Sequence, residues 1–398
     1  MRRVPPEIRR RELGGPDPID RRLGARAPLS PLTWLLSLFR TRSALGLAPS
    51  LTPGVIFLPL GALLGPHALG WIAPRLLDRL GLAVTIALAM LGVLVGLALG
   101  REIRTAARLF LAASLESAVT TIMVTAATVY FIAATDVPLD APLIGFALAL
   151  GLCASASSAT SAHPDSEPAA AVATRVADLD DVLPIVLAVV AFALLGSSSR
   201  ADLTVMVLAP PLIGLTVGVV GWLVFERAES GPERVVFVLG TLCLAGGAAA
   251  YLHVSPLAVG LVAGVTWALL PGRVDRVVED DLHRVQHPLV VLLLVTAGAS
   301  TTLSVAAIWL LPPYLLFRLA GKVAGAWLVA PSVEVRSSDL AAFLMPPGVL
   351  AIAFALNFSQ MLPAASGQML LSTVAVGTAA FEVFALAVLP HWGLGRRA

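Results

Sequence analysis

A single lysine and a pair of adjacent aspartates are the residues of this chain whose types and placement could do chemistry. Lys322 is the one lysine among 27 Lys and Arg side chains in 398 residues. It sits in the apolar stretch "FRLAGKVAGAW". An ammonium can give up its proton when it is desolvated or its partner changes, and a guanidinium cannot. A sole lysine inside an apolar run therefore points to a group that titrates or forms a compact, breakable ion pair. The alternative is a lysine that snorkels to a helix end. Asp180 and Asp181 lie in "VADLDDVLP". On a helix, adjacent side chains point about 100° apart, so one carboxylate can meet a fixed base while the other faces a cavity. Ionising both at once is costly. Carboxylate oxygens also suit a hard cation such as Na⁺ or Li⁺. Such a pair can hold a proton or a cation, never both. The alternative is an acidic pair at a helix N-terminus facing water, favoured by the helix dipole.

The elements that must position these groups are apolar. Hydrophobic residues make up 58% of the chain and charged ones 13%, with a mean hydropathy of +0.88. That leaves too little polar surface for a soluble domain of this length and implies a polytopic membrane protein. Spanning helices of about 20 residues are expected near residues 53–73, 81–99, 108–133, 141–162, 168–196, 203–226, 233–252, 255–271, 287–304, 306–329, 339–357 and 367–390. If the N-terminus is cytoplasmic, the internal connections ("REIRTAAR", "ERAESGPER", "GRVDRVVEDDLHR", "SVEVRSS", "GLGRRA") carry most of the arginine found outside the spans beyond the N-terminal segment, as orientation by positive charge requires. "PRLLDR", with Arg75 and Arg79, is the external loop that fits poorly. No secretory signal is expected, because residues 1–42 carry ten arginines and "WLLSLF" is short for a signal core. Cys153 and Cys243 both fall in apolar runs and read as two buried thiols. Nothing points to nucleic acid as a partner. Loops this short put the function inside the bundle.

Charge at bilayer depth is costly and tends to be functional. The expected spans contain Glu116, Arg175, Asp178, Asp180, Asp181, Arg318, Lys322 and Glu382. Arg175 and Asp178, one turn apart, can pair with each other. "HPDSEP" reads as a cytoplasmic hairpin in which Asp165 or Ser166 caps the fifth helix and Glu167 favours its first turn. From Pro168 the sequence predicts an unbroken helix up to Pro184, with Asp180 and Asp181 about 18–20 Å along it, near mid-membrane. His163, Asp165 and Glu167 at the mouth could concentrate cations, with His163 sensing pH, or form an ordinary solvated turn.

Two spans carry signs of interruption. The fourth ends in "CASASSATSA", whose Ser155, Ser157, Ser158 and Thr160 either satisfy backbone freed by unwinding or pack a tight helix. The eleventh contains "MPPG", where Pro346, Pro347 and Gly348 cannot continue a regular helix. Interrupted spans in corresponding halves point to a secondary transporter with inverted repeats and a mid-membrane site. Spans 3–5 correspond to spans 10–12. Glu116 and Lys322 then occupy matching spans, as do the aspartate pair and Glu382.

"DDVLPIVLA", "RLAGKVAGAW", "GVLVGLALG" and "MPPGVLAIAFA" together resemble the monovalent cation:proton antiporter superfamily, of the bacterial Na⁺/H⁺ antiporter type, over roughly residues 50–392. The resemblance implies an all-α fold of about 12 transmembrane helices. A core of spans 108–196 and 306–390 with two interrupted crossing helices would move against a scaffold. Residues 1–50 form an arginine-rich cytoplasmic segment, 51–392 the transporter and 393–398 a tail. It implies that Asp181 binds Na⁺ or a proton alternately and that Asp180 pairs with Lys322. The serines, Thr160 and the Pro346–Gly348 break would line the crossing. An Asp-Asp pair with a lysine goes with electrogenic exchange in this family, two protons per Na⁺. The expected partners are Na⁺ (or Li⁺ or K⁺), protons, the bacterial inner-membrane bilayer and a second copy of the chain. No enzyme activity and no cofactor are expected. The sequence departs from the family in its short "HPDSEP" turn, in Pro184 where the motif has glycine, and in having no acid in the fourth span. The alternatives are a sodium-coupled organic anion symporter on a related fold, or a degenerate transporter acting as a sensor or membrane subunit.

Overall fold

The computed structural model describes residues 52–103, 107–135, 137–158, 168–196, 200–227, 231–271 and 274–392. Among them the chain is helical, in the order α1 (Thr52–Leu64), α2 (Pro74–Glu102), α3 (Ala107–Thr135), α4 (Leu143–Ser155), α5 (Pro168–Leu179), α6 (Val182–Gly196), α7 (Arg200–Phe225), α8 (Gly231–Leu252), α9 (Pro256–Leu269), α10 (Val274–Ser300), α11 (Val305–Val333), α12 (Ser337–Leu344), α13 (Val349–Ser359) and α14 (Ala364–Trp392). Seven of these helices are long and apolar enough to cross a membrane by themselves, and α12 with α13, bent by 51° at their break, makes an eighth candidate. The protein is an all-α polytopic membrane protein. Each of the twelve expected spans falls on one helix or on one broken pair.

Three boundaries differ from expectation. The first span ends at Leu64, because Gly65 and Pro66 follow it. The ninth begins at Val274 and takes in the charged "VDRVVEDDLHR" that reads as a connection in the sequence. Two of its carboxylates pair with neighbouring helices: Arg101 of α2 forms a bidentate pair with Glu279, and Arg234 of α8 bonds Asp281 at 2.7 Å. The fifth span breaks at Asp180 and Asp181, between α5 and α6. Pro184 has no N–H to give the Asp180 carbonyl, so one rung of the helical ladder is missing there. Asp180 N still bonds the Val176 carbonyl at 2.9 Å, and Ile185 N the Asp181 carbonyl at 3.1 Å. Cys153 is buried as expected, whereas Cys243 is exposed on α8; an apolar run on an outward-facing helix is suited to lipid as much as to a core.

Glycines fix which helices lie against each other. A Cβ on Gly92 or Gly96 of α2 would come within 2.1 Å of the Leu257 carbonyl oxygen or 2.2 Å of that of Leu261, both on α9. In return, one on Gly260 or Gly264 of α9 would come within 2.0 Å of the Ala89 oxygen or 2.2 Å of the Val93 oxygen. These two helices touch backbone to backbone, as small-xxx-small motifs permit. α1 and α10 meet in the same way, with a Cβ on Gly61 at 2.3 Å from the Val295 oxygen and one on Gly298 at 2.2 Å from the Leu58 oxygen. The pairing of spans 8 and 2 thus repeats that of spans 1 and 9, with an offset of seven. Lengths agree with that repeat: α1 and α9 have 13 and 14 residues, and α3 and α11 have 29 each. Spans 3 and 10, α3 and α11, pack on one another, as partners across the repeat axis do.

The contact between α2 and α9 gives a first prediction. Gly264→Leu should lower the thermal stability of the detergent-solubilised protein by about 1–3 kcal/mol through overpacking. Gly247→Leu on α8, where a Cβ meets nothing within 4 Å, should stay within about 0.5 kcal/mol of the parent.

Candidate functional site

The end of α4 meets the break of the α12–α13 pair. α4 stops at Ser155, and Ala156 is extended at φ −60°, ψ 133°. Ser155 Oγ turns back to the Leu152 carbonyl at 2.8 Å, a local bond that competes with helix continuation. On the other strand of the crossing, Pro346 and Pro347 lack N–H groups and disfavour the α conformation in the residues before them. Gly348 caps α13 in an extended conformation. The two breaks meet through the Ser158 N–H, which donates to the Pro346 carbonyl at 2.9 Å. A Cβ on Gly348 would lie 2.8 Å from the Ser157 carbonyl oxygen, so this crossing requires glycine. Ser155, Ser157 and Ser158 are buried there.

Such a crossing leaves the carbonyls at the ends of α4 and α12 without helical partners, and α11 supplies the cations that meet them. Arg318 donates to the Ala154 carbonyl, to that of Ala156 at 2.9 Å and to that of Met345 at 3.4 Å. Its guanidinium lies 5.2 Å from the centre of the Phe381 ring. One fully buried arginine thus joins the C-terminal ends of both half-helices. Lys322 is one turn further along α11 and equally buried. Its ammonium bonds the Ser155 carbonyl and Ser157 Oγ, Glu116 Oε2 at 3.1 Å and Asp180 Oδ2 at 3.3 Å. A snorkelling lysine would end near water, and this one is enclosed. Ser157 Oγ in turn donates to Asp180 Oδ2.

Asp180 and Asp181 occupy the α5–α6 break directly ahead of α6, where the helix dipole favours negative charge. They are buried rather than facing water. Oδ1 of each has no hydrogen-bond partner among the described residues. Buried oxygens left in this way are what a hard cation or a proton would satisfy.

Other candidates lie elsewhere. Glu382 is buried against the start of α1, where its carboxylate accepts the Val55 N–H. Arg175 makes a bidentate pair with Glu102 at the end of α2, through Nε at 3.1 Å and Nη2. The expected pairing of Arg175 with Asp178 therefore gives way to one between helices, which the arginine's length allows. Pro347 is buried at the break. Thr160, His163, Asp165 and Glu167 lie outside the described residues.

A family model described as "Sodium/hydrogen exchanger, transmembrane" matches residues 33–390. The chain belongs to the sodium/hydrogen exchanger family. Its fold is similar to that of the sodium proton antiporter MjNhaP1 from Methanocaldococcus jannaschii, solved at pH 8. That likeness has a TM-score of 0.60 at 17% identity and covers 84% of this chain and 92% of the other. No curated protein matches the sequence. Family membership agrees with the resemblance carried by the aspartate pair and the lysine.

What sequence reasoning did not find is the set of contacts each charge makes. Glu116 touches Lys322, and Arg318 grips the crossing. Two signals were available: Arg318 and Lys322 are four apart and share a face, and Gly321 and Gly325 bracket the lysine. If Arg318 holds the crossing, Arg318→Met should cost about 3–5 kcal/mol in detergent unfolding experiments, since it leaves buried carbonyls unpaired. Arg318→Lys should recover only part of that, because a point charge cannot fork between three carbonyls. A fully stable Arg318→Lys variant would show that the charge alone suffices.

Proposed function

We propose that this chain exchanges Na⁺, or Li⁺ or K⁺, for protons across the bacterial inner membrane, with Asp181 binding cation and proton in turn. The observation that carries this reading is the buried Asp180–Ser157–Lys322 set beside an Asp181 whose Oδ1 is unpartnered among the described residues. Membership of the exchanger family supports it. Asp180 is the carboxylate that shares Lys322, and the crossing of α4 with the α12–α13 break forms the floor of the site.

In this reading the core, residues 108–196 and 306–390, moves against the remaining spans, so that Asp181 opens to one side at a time. A bare carboxylate is costly to carry through the barrier, and either a proton or a cation neutralises it. That shared requirement couples the two fluxes. The paired aspartates with a lysine favour electrogenic exchange, two protons for each cation. The cation and protons are cargo, and the protein works as a homodimer with both termini in the cytoplasm.

The experiment is transport in proteoliposomes. Asp181→Asn should abolish cation-dependent proton movement for Na⁺, Li⁺ and K⁺ while the variant stays folded and monodisperse. Persistent exchange in that variant would remove Asp181 from the site. Solute uptake driven by Na⁺ without proton countertransport would instead indicate symport.

A further inference from the structure

Lys322 faces two carboxylates on two different elements, Glu116 of α3 and Asp180 of the α5–α6 break. The exchange described above uses only Asp180. We propose that Glu116 is a positioning residue of that exchange: it is the standing counterion that holds the Lys322 ammonium in place when Asp180 turns to the cation. The inference rests on Asp180 and Asp181 being the cation site.

Charge requires a group of this kind. A cation bound between Asp181 and Asp180 is attracted by the same carboxylate that Lys322 holds. Were Asp180 the sole counterion, the cation would compete with the ammonium directly, and binding would leave a buried ammonium unpaired. Breaking a buried pair in this way is strongly unfavourable. With Glu116 at 3.1 Å, Lys322 keeps one full negative charge whichever way Asp180 turns.

The two carboxylates are built differently, and the difference assigns their roles. Glu116 belongs to a tight helix pair. Thr120, one turn along α3, donates to its Oε1 at 3.2 Å and leaves Oε2 for the lysine. The glycines on either side of Lys322 lie on these same two residues. A Cβ on Gly321 would stand 2.8 Å from Thr120 Cα, and one on Gly325 would stand 2.9 Å from Glu116 Cγ. α3 and α11 thus touch at the ion pair itself, and the pair travels with them as one body. Asp180 instead lies at a helix break, shares its Oδ2 between Ser157 and Lys322, and has no partner for Oδ1 among the described residues. Glu116 is the fixed partner and Asp180 the one free to exchange.

The test is proton flux against cation concentration in proteoliposomes of the full chain, at fixed pH. In Glu116→Gln the ammonium rests on Asp180 alone and opposes the cation. The half-saturating cation concentration should rise about tenfold, equivalent to about 1.4 kcal/mol, with a much smaller fall in maximal rate. Glu116→Asp keeps the charge on a shorter arm and should shift it in the same direction by less. In a Lys322→Gln background, Glu116→Gln should cause no further shift. An unshifted half-saturation in Glu116→Gln, or an equal shift without the lysine, overturns the proposal. If Glu116→Gln does not fold, a Glu116→Asp half-saturation equal to or below the parent's overturns it as well. Exchange surviving Asp181→Asn would refute the site on which it rests, whereas an inactive Asp181→Asn beside an unshifted Glu116→Gln refutes the role of Glu116 alone.

Discussion

Everything at the centre of this bundle follows from the cost of enclosing an ammonium where no water can reach it. Lys322 is fully buried, and a buried charge must be paired and hydrogen-bonded. Side chains supply two carboxylates and a hydroxyl. The remaining ligand is the carbonyl of Ser155, which a continuous helix would have committed to its own ladder. The same holds for the carbonyls that Arg318 grips. The breaks therefore supply acceptors that intact membrane helices lack, and the cations of α11 make the breaks tolerable at bilayer depth.

Glycine positions explain how so open a centre is kept in register. α2 with α9, and α1 with α10, meet at backbone distance through glycines facing carbonyls. α3 and α11 also meet closely around Glu116 and Lys322, with Gly321 against Thr120 and Gly325 against the Glu116 side chain. In the first two pairs backbone meets backbone, with no long side chain between the helices to rearrange. At the breaks the same device appears once, where Gly348 of the α12–α13 break faces the Ser157 carbonyl beyond the end of α4.

Much of this was legible before any coordinates. Twelve apolar segments set the architecture, and a lysine used once among arginines marked the centre. "MPPG" and "SASSA" announced the crossing, because proline and hydroxyl residues act on backbone hydrogen bonding locally. The break at Asp180 is not among the interruptions expected from sequence, although its cause lies in the sequence. Pro184 marks the end of the helix expected from Pro168, yet a proline removes the bond to the residue four before it, which is Asp180, so the break falls one turn earlier. The partners of Glu116, Arg175 and Arg318 were out of reach for a different reason. Sequence gives the face on which a charge lies, but which helix packs against that face depends on glycine contacts between segments far apart in the chain.

The division of labour between Arg318 and Lys322 shows why the two cations differ in kind. They lie one turn apart on α11, in the same buried setting, and both touch freed carbonyls. Arg318 must hold the ends of two half-helices at once, and a planar fork with several donors does this where one ammonium could not. Its hydrogen bonds are to backbone, which does not change its charge, so nothing asks Arg318 to let go. Lys322 touches carboxylates from two elements, one clamped by glycines and one at a break. A compact ammonium with rotatable donors can weaken one of those contacts without losing the other, whereas a rigid fork would fix all of them together. In the proposed exchange, Arg318 holds the geometry of the crossing, and the chain's one lysine takes the position where one of two carboxylates is released.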